Sequence, residues 1–199
     1  MPNLQNTDKV KILYTIGHSR HPIEHFVKLL KEAYVSLVFD VRSIPYSRRN
    51  PQFRQKALAE RLRNKGIDYV FSGRELGAKS PSPDCYIDGK VSYDLIAPRP
   101  EFAGGLDRII DKSGEARPAL LCAEEDPLTC HRTILICRHL RERVDSILHI
   151  RGDGTVETNE AFEQRLLKAT GLSGNDLFES ETSIIARAYE LQGQRMTKV

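Results

Sequence analysis

The stretch S-L-V-F-D-V-R, residues 36–42, decides the fold. From Ser36 to Val41 it is nearly all apolar, with no polar alternate positions to face water, which is the pattern of a strand buried on both faces and therefore of a sheet covered by helices on both sides. It then stops on the charged pair Asp40 and Arg42, whose spacing of two places both side chains on the same side of the strand.

Working outward, K-I-L-Y-T-I at Lys11–Ile16 reads as a strand halted by Gly17-His18-Ser19. Between the two strands, Ile23, Phe26, Val27 and Leu30 fall on one helical stripe, with Pro22 suited to the first turn. After Arg42, a loop from Ser43 to Pro51 leads to a helix over about Phe53–Lys65, closed by Gly66, and a third strand over Ile67–Phe71. Ser72–Pro100 has the proline and glycine content of a long excursion with a short hairpin at Asp88-Gly89. The stripe Phe102, Leu106, Ile109, Ile110 then predicts a helix and Ala119–Cys122 a fourth strand. Thr129 is expected to cap a helix from Cys130 to about Arg143, followed by a fifth strand at Ser146–Ile150 and a helix over Asn159–Thr170.

Strands alternating with helices predict an α/β domain built on a mostly parallel five-stranded sheet with helices on both faces. The division expected is an N-terminal extension over 1–10, the α/β domain over 11–171, and a partly helical C-terminal tail over 172–199, with Ile184, Ala188 and Leu191 on one face. That tail would pack back, pair with a second copy to give a homodimer, or fray.

Composition narrows the classes. Of 199 residues, 40% are hydrophobic and 29% charged, which suits one globular domain and argues against wholesale disorder. No apolar run approaches the roughly 18–20 residues that span a bilayer, and Met1–Lys11 lacks a signal-peptide core, so a cytoplasmic protein away from membranes is expected. The four cysteines are expected to remain thiols. A net charge of +3 is mild for a dedicated nucleic-acid binder and decides nothing by itself. No repeat, Walker loop, G-x-G-x-x-G or G-x-S-x-G is present.

Ligands of open parallel sheets bind outside the carboxyl ends of the strands, and four of these ends are polar. His18 there can move a proton or fix the turn; Gly17 admits a close backbone approach by a ligand; Ser19 can bind phosphate or cap the next helix. Asp40 can orient a histidine while Arg42 grips an anion, or the two can form a buried ion pair. Cys130-His131-Arg132 at a helix start would stabilise a thiolate and an anion, or be packed and hydrogen-bonded residues of a loop. Glu124, in the acidic loop with Glu125 and Asp126, and Arg132 join Gly17, Ser19 and Arg42 as expected substrate contacts. His18, Asp40, Cys130 and His131 are the expected catalytic groups, with Cys130 a candidate nucleophile. Arg48, Arg49, Arg54, Arg74 and Lys79, interleaved with Tyr46, Phe53, Phe71 and Tyr86, border the same face as phosphate contacts or as a solvated surface. His21 and His25 are expected at the surface. No cofactor is expected: Cys130, His131, His18 and the acidic loop could supply ligands to a metal, which is the alternative, but Cys122 and Cys130-His131 lack the paired short spacing of a structural zinc site.

The motifs Y-T-I-G-H-S (14–19), D-V-R (40–42), the loop 45–53, E-L-G (75–77), C-A-E-x-x-P-x-x-C-H-R (122–132) and H-I-x-x-D-G (149–154) together resemble the prokaryotic family known as domain of unknown function 488. The chain departs from it at Ala78, where the family often has a second glycine. The resemblance implies the α/β fold and marks these residues, and it implies no reaction. The expected function is therefore an enzyme of hydrolase or transferase type acting on a phosphate-bearing, nucleotide or nucleic-acid related substrate. The alternative is a non-catalytic protein that senses an anionic small molecule or binds nucleic acid.

Overall fold

The computed structural model describes residues 10–172 and 180–197. Most of the expected N-terminal extension, and residues 173–179 and 198–199 of the expected tail, lie outside the described residues.

In chain order the elements are β1 (Ile12–Gly17), α1 (Ile23–Glu32), β2 (Leu37–Asp40), α2 (Gln55–Arg63), β3 (Asp68–Phe71) and α3 (Gly73–Leu76). A small hairpin follows, β4 (Tyr86–Ile87) with β5 (Lys90–Val91), then α4 (Tyr93–Ile96), α5 (Pro100–Ser113) and β6 (Pro118–Cys122). A π-helical turn, Arg132–Cys137, runs into α6 (Arg138–Leu140), and β7 (Ser146–Ile150), β8 (Val156–Thr158), α7 (Asn159–Thr170) and α8 (Glu181–Thr197) complete the chain.

The main sheet has six strands in the order β3-β2-β6-β1-β7-β8. All pairings are parallel except β7 with β8. The expected five strands are therefore present, and the added sixth is a three-residue antiparallel edge. It follows a tight turn in which Asp153 accepts from the Thr155 amide (2.9 Å) and Gly154 takes φ +91°. Its half-exposed V-E-T sequence carries too short a pattern to be read as a strand.

Alternation along the strands sorts the core into two layers. Leu37, Phe39 and Val41, with Leu120 and Cys122, face α5 and the 132–140 helix, whereas Val38, Ala119 and Leu121 face α1 and α2. The hairpin at Asp88-Gly89 forms with both residues at positive φ (51° and 74°), as its sequence requires.

One correction concerns the segment after β6. Thr129 caps nothing there: Asp126 caps a 3-10 turn over Pro127–Thr129, accepting from the Leu128 amide (3.0 Å). Cys130 is extended, and its carbonyl accepts the amides of Thr133 and Ile134. The helix proper starts at Arg132 with the wider π-helical winding, and all six of its residues are buried. Ile134 packs against α7 and α8 on one side, while Leu135 and Ile136 pack on the sheet from the other.

The tail helix α8 packs back onto its own chain. Ile185, Ala188 and Tyr189 join Phe162 and Leu166 in a third cluster, and Tyr189 donates to Glu163 (3.1 Å). Removing the Tyr189 ring should therefore cost about 3–5 kcal/mol. Urea unfolding of Tyr189→Ala measures this, and a loss below about 1 kcal/mol would show α8 detached in solution.

Candidate functional site

Because β1, β2, β3, β6 and β7 run in parallel, the residues that follow them all emerge at one edge. β1 and β6 are adjacent there, and the chain leaves β1 for β2 on one side and β6 for β7 on the other. This is the crossing at which open α/β sheets leave a crevice. His18 donates its amide to the Cys122 carbonyl (2.9 Å), and Ser19 donates to Ala123 (2.9 Å), which extends the pairing past the strands. A Cβ on Gly17 would lie 1.8 Å from the Glu124 carbonyl oxygen. The close approach that Gly17 permits is thus by the protein's own 124–125 backbone, not by a ligand.

Ser19 adopts φ +45°, and it does not cap α1, whose N-cap is Pro22. The turn aims the Ser19 carbonyl back at the His18 ring, which must donate Nδ1–H to it (2.8 Å). His18 Nε2 then accepts from Arg42 Nη1 (3.2 Å), and the ring stacks on Phe53 with centroids 4.3 Å apart. Burial first, and the Arg42 charge second, push His18 down to about 4, so it is a neutral imidazole at pH 7.

Asp40 and Arg42 do share one side of their strand, and they hold each other. Arg42 donates Nε to Asp40 Oδ1 (2.8 Å) and Nη2 to Oδ2 (2.6 Å), and Tyr69 donates its hydroxyl to Oδ2 (2.6 Å). The bidentate fork fixes the guanidinium and turns its remaining edge toward His18. Tyr69 escaped the sequence reading because it sits mid-strand in β3, with no motif around it.

The densest cluster lies across the crevice. Cys122 Sγ and Cys130 Sγ both lie against Glu124 Oε2, at 2.9 and 3.2 Å. His131 Nδ1 stands 3.5 Å from Cys122 Sγ, and its Nε2–H donates to the Val41 carbonyl (3.0 Å), next door to Arg42. Cys122, Cys130 and His131 are buried and Glu124 is exposed, so the carboxylate is the cluster's face to solvent. Burial pushes the Cys122 thiol up, whereas Cys130 lies well below its ordinary range. There the penalty of burial is outweighed by the Cys122 S–H and the Arg132 charge.

Arg132 is fully enclosed. Its Nη1 donates to the Glu124 carbonyl, Nη2 to the Glu125 carbonyl (2.8 Å) and Nε to Thr15 Oγ1 (3.4 Å). Every edge of the guanidinium is turned toward the protein, so in this arrangement it holds the 124–125 loop and offers no face to a substrate. Thr15 in turn donates to His149 Nδ1 (2.9 Å), because His149 Nε2–H is directed to Asn159 Oδ1 (3.3 Å). Asn159 passes the chain on to Glu163 (2.9 Å), which also receives Tyr189.

His18, Asp40, Arg42, Cys130, His131 and Arg132 are thus brought to one edge, with Gly17, Ser19 and Glu124 among them. Other residues lie elsewhere in the bonding. Glu125 and Asp126 pair with Arg151, and Asp126 also with Arg165. His21 and His25 are not free surface groups: they pack beside the loop after β7, where His25 Nε2–H donates to the Gly152 carbonyl (2.8 Å). Arg54 lies over the Tyr46 ring, 4.7 Å from its centroid. Arg48, Arg49, Arg74 and Lys79 are exposed, and among the described residues their side chains have no ion-pair partner. A cavity of about 550 Å³ between α2, β3 and α5 is lined by none of the motif residues, and of the groups described above only Tyr69 reaches its wall.

The sequence profile of a family described as Domain of unknown function DUF488 matches residues 22–138, more than half of the chain. No curated protein and no solved structure matches it.

Burial first, then the Arg132 charge, hold His149 down at about 3, against roughly 6.5 in the unfolded chain. A histidine depressed on folding favours the native state fully above its unfolded pKa and loses that contribution as pH falls toward the folded one. Native stability should fall by up to about 1.4 kcal/mol per pH unit between pH 6.5 and pH 4 on account of His149. Urea midpoints across that range would check it, with His149→Gln expected to flatten the slope. An unchanged slope in that variant would contradict the assignment.

Proposed function

The chain belongs to the family of domain of unknown function DUF488, and from that premise we propose that it is an enzyme of hydrolase or transferase type acting on a phosphate-bearing substrate, a nucleotide or a nucleic-acid component. One observation carries the reading: a cluster of unlike reactive side chains, Cys122, Glu124, Cys130 and His131, sits at the edge of the sheet from which the loops after β2 and β3, with their exposed arginines, also emerge. Stability alone favours apolar residues in such a place, whereas chemistry on an anion calls for this mixture.

The roles follow from the geometry. Arg48 and Arg49, on the loop after β2, would meet the phosphate first, since phosphates are gripped by guanidinium forks. His18, neutral at pH 7, is the group suited to move a proton, with Arg42 bonded to its Nε2 and Asp40 fixing Arg42. Cys130 and His131 with Glu124 form the reacting end. Ser19 and Gly17 shape the turn that places His18.

A second reading is favoured by one specific feature, the enclosure of the site: Cys130 is 0% and His18 4% exposed. A site this closed can report on an anion, or the arginine loop can bind nucleic acid, without turnover. A survey of nucleoside mono-, di- and triphosphates and 5′-phosphorylated oligonucleotides by phosphorus NMR separates the two. The enzyme reading expects turnover of at least one of them. It expects kcat reduced at least about 100-fold in His18→Ala and Cys130→Ala, with Arg48→Ala raising chiefly KM. Binding with a steep salt dependence and no turnover would favour the second reading. Neither binding nor turnover would remove both.

A further inference from the structure

Cys122 and Glu124 lie at the end of β6, and Cys130 and His131 return to them across the intervening loop. Four atoms, two sulfurs, one carboxylate oxygen and one imidazole nitrogen, thereby lie within 4.8 Å of one another. Three of the contacts between them are 2.9, 3.2 and 3.5 Å. Ligands on a tetrahedral zinc ion stand about 3.3–3.8 Å apart, from metal–ligand distances of about 2.0–2.3 Å. The contacts of 2.9 and 3.2 Å would have to open by a few tenths of an ångström and any separation near the 4.8 Å limit to close by up to about 1 Å, adjustments within reach of side-chain rotation.

Three features beyond proximity favour a cation. The His131 Nε2–H is held by the Val41 carbonyl, so in the neutral ring the Nδ1 lone pair faces Cys122 Sγ at 3.5 Å, and a backbone carbonyl on the far nitrogen is the usual partner of a metal-bound histidine. Two sulfurs converge on a single carboxylate oxygen, so three donors of anionic character already meet where a cation would sit. Charge also closes: two thiolates and a carboxylate are balanced by a divalent ion together with the buried Arg132 guanidinium, which leaves the enclosed site neutral.

We propose that Cys122, Cys130 and His131 are the fixed ligands of a zinc ion, and that the exposed Glu124 is its fourth, displaceable ligand. Sulfur and imidazole select zinc over magnesium or calcium. A site with three buried ligands and one at the surface is of the open type, whose fourth position a water or a phosphate oxygen can take. Binding requires both cysteines as thiolates, releases to solvent any proton they still carry and changes no oxidation state, so affinity rises with pH. The inference stands on the donor geometry and goes beyond the substrate reading; if both hold, Cys130 serves as a ligand and not as the nucleophile.

The test uses the full chain, purified with a non-thiol reductant, stripped with EDTA, and titrated with zinc followed by native mass spectrometry and with cobalt followed by absorbance. One ion per chain and a thiolate-to-cobalt charge-transfer band are expected. Cys122→Ser and His131→Ala should weaken zinc at least about 100-fold, whereas Glu124→Gln, altered at the surface, should keep the band and lose less than about tenfold. A wild-type protein that gives no thiolate-to-cobalt band overturns the proposal even if the buried variants misfold. So does a band that survives in the Cys122→Ser/Cys130→Ser double variant. Zinc binding without phosphate turnover would keep this inference and sink the substrate reading. Turnover that EDTA leaves untouched, in a protein that takes up no zinc, would do the reverse.

Discussion

A buried guanidinium holding two backbone carbonyls and a strand hydroxyl is the constraint on which this edge of the sheet depends. Arg132 ties the 124–125 backbone to Thr15 on β1. It does so from the first position of a helix whose other end is anchored in the core. Enclosing a charge with no carboxylate against it is costly, and the cost is offset by the directed carbonyl dipoles and by the thiol pair beside it. The same tether explains why position 17 has no room for a side chain: the loop it pulls in lies directly on the Gly17 Cα.

Two networks of different character meet across this tether. Tyr69, Asp40, Arg42 and His18 form a line of hydrogen bonds in which each member fixes the next, and its His18 end is tied to the Ser19 carbonyl. Cys122, Cys130, His131 and Glu124 form an open network, because its carboxylate faces solvent and its two sulfurs meet at one oxygen. Rigid support on one side and exchangeable protons on the other are what a reacting centre requires. A third chain, from Thr15 through His149 and Asn159 to Glu163, links the tether to α7 and, through Tyr189, to α8. No helix of the described residues is long and apolar enough to cross a membrane.

Much of this was legible in the residues, and the failures are as informative as the successes. The all-apolar run before Asp40 announced a doubly covered parallel strand, and Asp88-Gly89 announced its hairpin, because each is a local rule with a local cause. Convergence of His18, Arg42 and residues 130–132 followed from parallel topology. What the pattern hid was allegiance. Arg132 and Gly17 read as ligand-facing, yet both serve the loop between β6 and the helix, since sequence does not reveal whether a close neighbour is substrate or backbone. Thr129 resembled a cap, but Asp126 lay three residues earlier and took that role for the preceding turn. Glu124 was read with the acidic pair after it, although only the fold separates it from Glu125 and Asp126, which are bonded to arginines, and sets it between two sulfurs.

Hydrogen exchange of Arg132→Lys tests the central claim most directly, because lysine keeps the charge but cannot reach three acceptors in a plane. Loss of protection at the His18 and Ser19 amides, which are bonded to Cys122 and Ala123, is predicted, with about 3–5 kcal/mol lost in stability. Protection at these two amides equal to that of the wild-type chain would contradict it, and would mean that the strand-end crevice is built without the Arg132 tether.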